Sequence, residues 1–214
     1  MEPQTPITGE TPYPVQFSVD YPDRDLNRLT TGFRLFMAIP IVIVLAALSH
    51  EGAGWGSDQW RWGAGTGGAL FLAPLLMILF RQKYPRWWFD WNVALLRFIN
   101  RVGAYLLLLR DDYPSTDDEQ NVHLEVDYPD VPTQLNRWLP LVKGLMAIPH
   151  FIVLIFLSIA AIVVAIIAWF AVLFTGRYPQ WAFDFEVGVM RWHNRVAGYA
   201  LVLDTDQYPP FSLD

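Results

Sequence analysis

Two acid–arginine sets recur in this sequence at the same spacing, Asp90 with Arg97 and Arg101, and Asp184 with Arg191 and Arg195. Intervals of seven and four put the three charges of each set on one face of an α-helix. Two guanidinium groups one turn apart repel each other unless an anion lies between them, and each carries the planar fork of donors that suits a phosphate. One chemistry open to Arg97, Arg101, Arg191 and Arg195 is therefore recognition of a lipid headgroup or another anion. The other is internal neutralisation, with Asp90, Asp184, Asp20 and Asp127 as the ion-pair candidates that would tie these helices to neighbouring strands. Duplicated residues hold folds more often than they bind ligands, which favours the second.

The remaining chemistry-bearing residues form no set. His50, His123, His150 and His193 lie in different segments, without the paired spacing of a metal site. His150 follows Pro149 inside an apolar run, where it would serve as a proton or cation site or bond a carbonyl that the proline frees. There is no Gly-rich phosphate loop, no nucleophile–histidine–acid order and no histidine pair for a haem. With no Cys, disulfide, thiolate-ligand and thiol-nucleophile chemistry are all excluded. Acids are absent from the apolar runs, which leaves nothing for a proton relay. No catalytic residue, metal or cofactor is expected, and the chain does not read as an enzyme.

The elements that position these residues are long and apolar. The chain has 214 residues, 53% hydrophobic and 15% aromatic, more apolar than a soluble domain of this size. Leu139–Thr175 carries only Lys143 and His150 as ionisable groups, far longer than a buried core helix needs. The start of the chain has neither a basic segment nor an apolar core, so a cleaved signal peptide is not expected. The net charge of −6 conceals a segregation: acids crowd the polar segments, notably 111–130, while bases flank the apolar runs. That distribution argues against nucleic acid and for membrane lipids and other membrane protein subunits as partners.

The chain repeats itself. Lys83-Tyr-Pro-Arg-Trp-Trp-Phe-Asp90 returns as Arg177-Tyr-Pro-Gln-Trp-Ala-Phe-Asp184, and Met37-Ala-Ile-Pro40 returns as Met146-Ala-Ile-Pro149. Val15–Pro22 is mirrored by Val122–Pro129. The interval from Pro40 to Pro85 exceeds that from Pro149 to Pro179 by about the length of the Gly/Trp loop that begins at His50. Residues 1–14 read as a disordered arm, 15–114 as the first repeat, 115–121 as a linker and 122–214 as the second repeat.

In the first repeat, spans are expected over about 26–49 and 63–80, with an interfacial amphipathic helix over 86–103. In the second, spans over about 135–158 and 159–175 precede an interfacial helix over 180–197, although no Gly, Pro or Asn marks a turn between Pro149 and Gly176. Charge decides for a tight turn near Ser158. Two crossings per repeat leave all but Arg61 of the fifteen Lys and Arg on one side, which the positive-inside rule makes cytoplasmic. The expected fold is thus an α-helical integral membrane protein of four spans. It consists of two parallel repeats, each strand–hairpin–interfacial helix–strand, with both termini cytoplasmic. Runs Val15–Tyr21, Ala104–Leu109, Val122–Tyr128 and Gly198–Leu203 would form one small cytoplasmic sheet. Trp55, Trp60, Trp62, Trp87, Trp88, Trp181 and Trp192 suit the headgroup level as anchors.

The words Met-Ala-Ile-Pro-His150, Ile167-Ala-Trp-Phe-Ala-Val-Leu-Phe-Thr-Gly-Arg-Tyr-Pro179, Phe183-Asp-Phe185, Arg191-Trp192 and Asp206-Gln-Tyr-Pro-Pro-Phe211 resemble the DUF4389 family, a domain of unknown function in bacterial membrane proteins. The resemblance implies two tandem copies in a bacterial inner membrane, strongest from about Leu135 onward, and implies no activity. The first copy departs from it, with Trp91 in place of the second Phe and Ile41 in place of the His. The functional expectation is a non-catalytic accessory or scaffold subunit of a larger membrane complex. The alternative is a phospholipid-binding or transport module using the arginine faces and His150.

Overall fold

Strict alternation of apolar and polar residues builds a strand wherever one face can be covered. A computed structural model describes residues 13–22, 25–49, 66–116, 118 and 120–214. In it β1 (Val15–Val19) and β2 (Val122–Val126) pair antiparallel, with Phe17 opposite Leu124 at the centre. Between the strands run α1 (Arg28–Ser49), α2 (Thr66–Arg81) and α3 (Arg86–Leu106). After them come α4 (Val131–Gln134), α5 (Pro140–Met146), α6 (Ile148–Thr175), α7 (Gln180–Ala197) and a π-helical turn over Gly198–Val202. The arm over 1–12, His50, Trp55, Trp60 and Trp62 lie outside the described residues.

A lone two-stranded ribbon is marginal in water, so its apolar face needs a cover. Val15, Phe17, Val19, Val122 and Leu124 are buried in one cluster with Ala104, Leu108 and Leu109 from the end of α3 and with Ala182, Phe183, Val187 and Met190 of α7. The other face of the ribbon, with Gln16, Ser18, His123 and Glu125, is exposed.

A third layer lies on those helices. α6 runs antiparallel beside α7 along its length: Leu154 clusters with Val196, Ser158 meets His193, and Ala168 and Val172 cluster with Ala182 and Phe183. α1 lies in the same way on α3, with Ala38 and Ile41 packed among Phe98, Val102 and Tyr105. The molecule is therefore a ribbon, then α3 and α7, then α1 and α6. Its outermost surface is apolar: Phe33, Leu35, Phe36, Ile39 and Ile43 of α1 and Ile155, Phe156, Ile159, Ile162, Ile166 and Phe174 of α6 are all more than half exposed. Two helical stretches, Arg28–Leu45 and Ile148–Thr175, are long and apolar enough to cross a membrane.

Three expectations need correction. Among the described residues the sheet has two strands, not four. Ala104–Leu109 is the end of α3, held by Leu107 and Leu109 N–H groups donating to Gly103 and Ala104, and Gly198–Leu203 closes a π turn through Leu203 N–H to Gly198. Both runs are helix ends, buried apart from the exposed Leu106 and Leu201 and the half-buried Leu107, which periodicity alone does not separate from strands. The turn near Ser158 does not exist either, and α6 continues unbroken for 28 residues, about 42 Å at 1.5 Å per residue. No turn residue interrupts it, and the Ser158 hydroxyl donates back to the Leu154 carbonyl at 2.7 Å, staying within the helical ladder. Among the described residues two helices, not four, are long and apolar enough to cross a membrane.

α6 ends at Gly176, whose φ of 79° lets its N–H reach the Val172 carbonyl at 2.8 Å. The end of α2 does the same with Gln82, at a φ of 45°, a left-handed backbone that costs a side-chain-bearing residue energy. Gln82→Gly is expected to raise stability by about 0.5–1 kcal/mol. Loss of the Gln82–Arg137 hydrogen bond and the larger entropy that glycine loses on folding both oppose the gain. Chemical unfolding curves of the two proteins measure the difference.

Candidate functional site

The four arginines turn inward. The Nε groups of Arg97 and Arg191 donate to the carbonyls of Leu124 and Phe17, each at 3.0 Å. These are the two residues facing each other at the centre of the ribbon, so each helix is pinned to the opposite strand. Arg101 donates to the Ser115 carbonyl at 2.9 Å and Arg195 to the Ser212 carbonyl at 3.4 Å, and both arginines are buried. The acids named with them lie elsewhere. Asp90 is exposed, Asp184 accepts from Gln180 at 2.9 Å, and Asp20 pairs with His123 at 3.1 Å. Among the described residues no ion pair joins Asp90, Asp184, Asp20 or Asp127 to these arginines.

The buried ion pairs are at the starts of the apolar helices. Arg34 of α1 pairs with Asp111 and also donates to the Tyr105 and Arg110 carbonyls at 3.1 and 2.9 Å. Lys143 of α5, fully buried, pairs with Asp206 at 2.7 Å and donates to the Thr205 carbonyl at 2.7 Å. Each cation also lies over a tyrosine ring, Arg34 at 4.6 Å from Tyr105 and Lys143 at 5.2 Å from Tyr199. Burial pulls the Lys143 ammonium below its ordinary range, and the carboxylate of Asp206 opposes that. Tyr84 and Tyr178 complete the matched contacts, crossing over to the carbonyls of Val202 and Leu107 at 3.0 and 3.2 Å. Burial pushes both hydroxyls well above the ordinary tyrosine range.

On the axis of this arrangement Asn100 and Asn194 bond each other reciprocally, each amide nitrogen 2.7 Å from the other's oxygen. The second N–H of each amide goes to the carbonyl four residues back, at 2.8 Å. They line the base of a furrow of about 440 Å³ between α3, α6 and α7, walled by Leu96, Phe151, Leu154, Ile162 and Met190. Glu186 lines the same furrow. It is fully buried, neither carboxyl oxygen has a hydrogen-bond partner among the described residues, and burial pushes its carboxyl up to about 8. The matching position in the first half is Asn92, whose amide reaches the Tyr84 hydroxyl at 3.2 Å. The sequence offered one signal for Glu186, a carboxylate in helical register with Ala182, Val189 and Met190, and the arginine spacing drew attention away from it.

His150 is fully buried in an aromatic cage. Trp192 donates its indole N–H to Nδ1 at 3.1 Å, and the Phe211 ring stacks on the imidazole at a centroid distance of 4.0 Å. Its other nitrogen has no partner among the described residues. Trp192 is thus an internal residue. Trp87 and Trp181, at matching positions of α3 and α7, are exposed, and Trp88 is half-buried. Among the described residues no group of three metal-ligating side chains converges.

The family model described as Domain of unknown function (DUF4389) matches residues 139–212, from just before α5 through the π turn to the segment that carries Phe211. The match bears out the resemblance in that half and is to one copy, with the residues before 139 outside it. No curated protein and no solved structure matches the chain.

Proposed function

We propose that the chain is a non-catalytic accessory or scaffold subunit of a larger membrane complex, built from two copies of one unit and held in the bilayer by the apolar face of α1 and α6. The observation that supports it most is the use of the charges. The arginines and the lysine with the most specific geometry are spent on backbone carbonyls and internal carboxylates, which leaves a scaffold with an apolar back and a polar front. Paired contacts of Arg97 with Arg191, Arg34 with Lys143 and Asn100 with Asn194 support the duplication. A mild-detergent native gel tests the role: migration with partner subunits is expected, and a lone protomer would sink it.

The membrane is the bacterial inner membrane, with both termini on its cytoplasmic side, and the layering favours an in-plane seat over a crossing one. α6 lies along α7, and α7 lies along the ribbon. If α6 stood across the bilayer, the ribbon's unpaired edges and the exposed Gln16, His123 and Glu125 would stand at membrane depth, which hydrocarbon does not permit. Seated flat, α1 and α6 sink into one leaflet while the ribbon and the bases stay in water. Because the chain has no Cys, single cysteines at Ser57 and Asp214 report the seat cleanly. Labelling of both from the same side by an impermeant maleimide is expected, and labelling from opposite sides would restore a crossing hairpin. Lipid binding remains the second reading, carried now by the furrow. If Arg191→Ala/Arg195→Ala leaves lipid retention unchanged, the arginines play no part in it.

A further inference from the structure

We infer that the furrow between α3, α6 and α7 is a binding site for a lipophilic primary amine, its chain lying on the apolar walls and its ammonium among the acceptors at the base. The walls set the lipophilic half. Ile99, Phe151, Ile162 and Leu201 line the mouth and are each more than a third exposed, so the furrow opens onto apolar surface. This half stands on the lining alone and does not depend on how the molecule sits in a membrane.

The base sets the amine. Both N–H groups of Asn100 and of Asn194 are committed to each other and to the Leu96 and Met190 carbonyls. The Ser158 hydroxyl is committed to the Leu154 carbonyl at 2.7 Å. His193 has Nδ1 2.9 Å from the Val189 carbonyl and Nε2 3.3 Å from Ser158 Oγ, so both of its nitrogens are already engaged within the protein. What the base offers is therefore mostly acceptors: two amide oxygens with a spare lone pair each, a hydroxyl oxygen and the Glu186 carboxyl. A carboxylate ligand finds there only the proton of the Glu186 carboxyl as a donor, and it brings a second acid against that group; an alcohol supplies one donor of its own. A primary ammonium supplies three, with the charge that an unpartnered buried carboxyl lacks. No hydrogen bond holds Glu186 in its rotamer, so turning it toward the furrow breaks none. Among the described residues Tyr178 is a titratable group near enough to feel its charge, and the Tyr178 hydroxyl already donates to the Leu107 carbonyl.

Equilibrium binding of radiolabelled dodecylamine to the purified full chain in an uncharged detergent tests the assignment. Saturable binding is expected, with dodecanol and dodecanoate at least tenfold weaker as competitors. Glu186→Gln, which keeps the shape and cannot ionise against the ammonium, is expected to weaken dodecylamine at least tenfold and leave dodecanol unchanged. Ile162→Trp, at an exposed position of the mouth, is expected to weaken both and does not depend on the core's tolerance of change. Competition by a short-chain phosphatidylethanolamine but not the matching phosphatidylcholine assigns the ammonium to a lipid headgroup, and competition by free amines alone assigns it to a free amine. Equal competition by amine, alcohol and acid, or unchanged amine affinity in either variant, overturns the site. Because these readouts are taken on the isolated protein, they fail independently of the scaffold role.

Discussion

Lys143→Met is expected to cost about 3–5 kcal/mol of stability, the range for removing one partner of a buried ion pair. The ammonium has no exposure, and its three donors are directed at an environment built from Asp206, the Thr205 carbonyl and the Tyr199 ring. Methionine fills the volume and supplies none of the donors, so Asp206 keeps its charge in a site with 21% side-chain exposure. The loss comes from that stranded carboxylate more than from the missing attraction, since the pair's Coulomb energy largely offsets its own desolvation. Lys143→Met/Asp206→Leu should therefore recover all but about 1 kcal/mol, the remainder being the hydrogen bond that Asp206 accepts from the Asn136 N–H. Unfolding in detergent followed by tryptophan fluorescence measures both. A double variant as unstable as the single one would show that the two residues do not act as a unit.

Helix starts were legible in the sequence because proline and the Tyr-Pro words mark them. The helices expected over 86–103 and 180–197 are α3 and α7 nearly to the residue. Their role against the ribbon was legible too, from alternation in Val15–Val19 and Val122–Val126. The ends of those helices were not, because Ala104–Leu109 and Gly198–Leu203 are apolar on every side and carry no period. A one-residue difference between the halves hides there as well. Tyr105 and Tyr199 correspond, and so do Leu108 and Leu203, both in the left-handed region at φ 67° and 63°, one residue further apart. The π turn over Gly198–Val202 absorbs the extra residue and leaves Asp204 and Asp206 in place beside the second half's helices. The seat of the arginines was half legible: spacing put them on one helix face, but their partners are backbone carbonyls, which no side-chain pattern reveals. Charge segregation set the bases apart from the apolar runs, a pattern compatible with either seat in a membrane. It supplied no evidence for a turn at Ser158, since a helix lying flat satisfies the same rule.

Glu186→Gln is expected to flatten the pH dependence of stability. Burial raises the Glu186 carboxyl from its ordinary 4.5 to about 8, so between those values the folded chain holds a proton that the unfolded chain has released. Stability therefore falls as pH rises from about 4.5 through 8 and levels off above. At about 1.4 kcal/mol per unit, the full effect is at most about 4–5 kcal/mol. Asp204 acts in the same direction, raised by burial from 3.8 to about 7 with Lys143 opposing, so its contribution ends near pH 7. Between pH 7 and 8 Glu186 still contributes after Asp204 has levelled off. Unfolding curves of the wild-type chain and Glu186→Gln at pH 5, 7 and 8.5 should diverge, the variant gaining relative stability toward high pH, and groups common to both cancel in the difference. The amide of glutamine keeps the shape and brings a donor that the Tyr178 side of the pocket does not need, which costs about 1 kcal/mol at pH 5. Parallel curves across this range would mean that Glu186 is ionised in the folded chain, and that some group outside the described residues neutralises it.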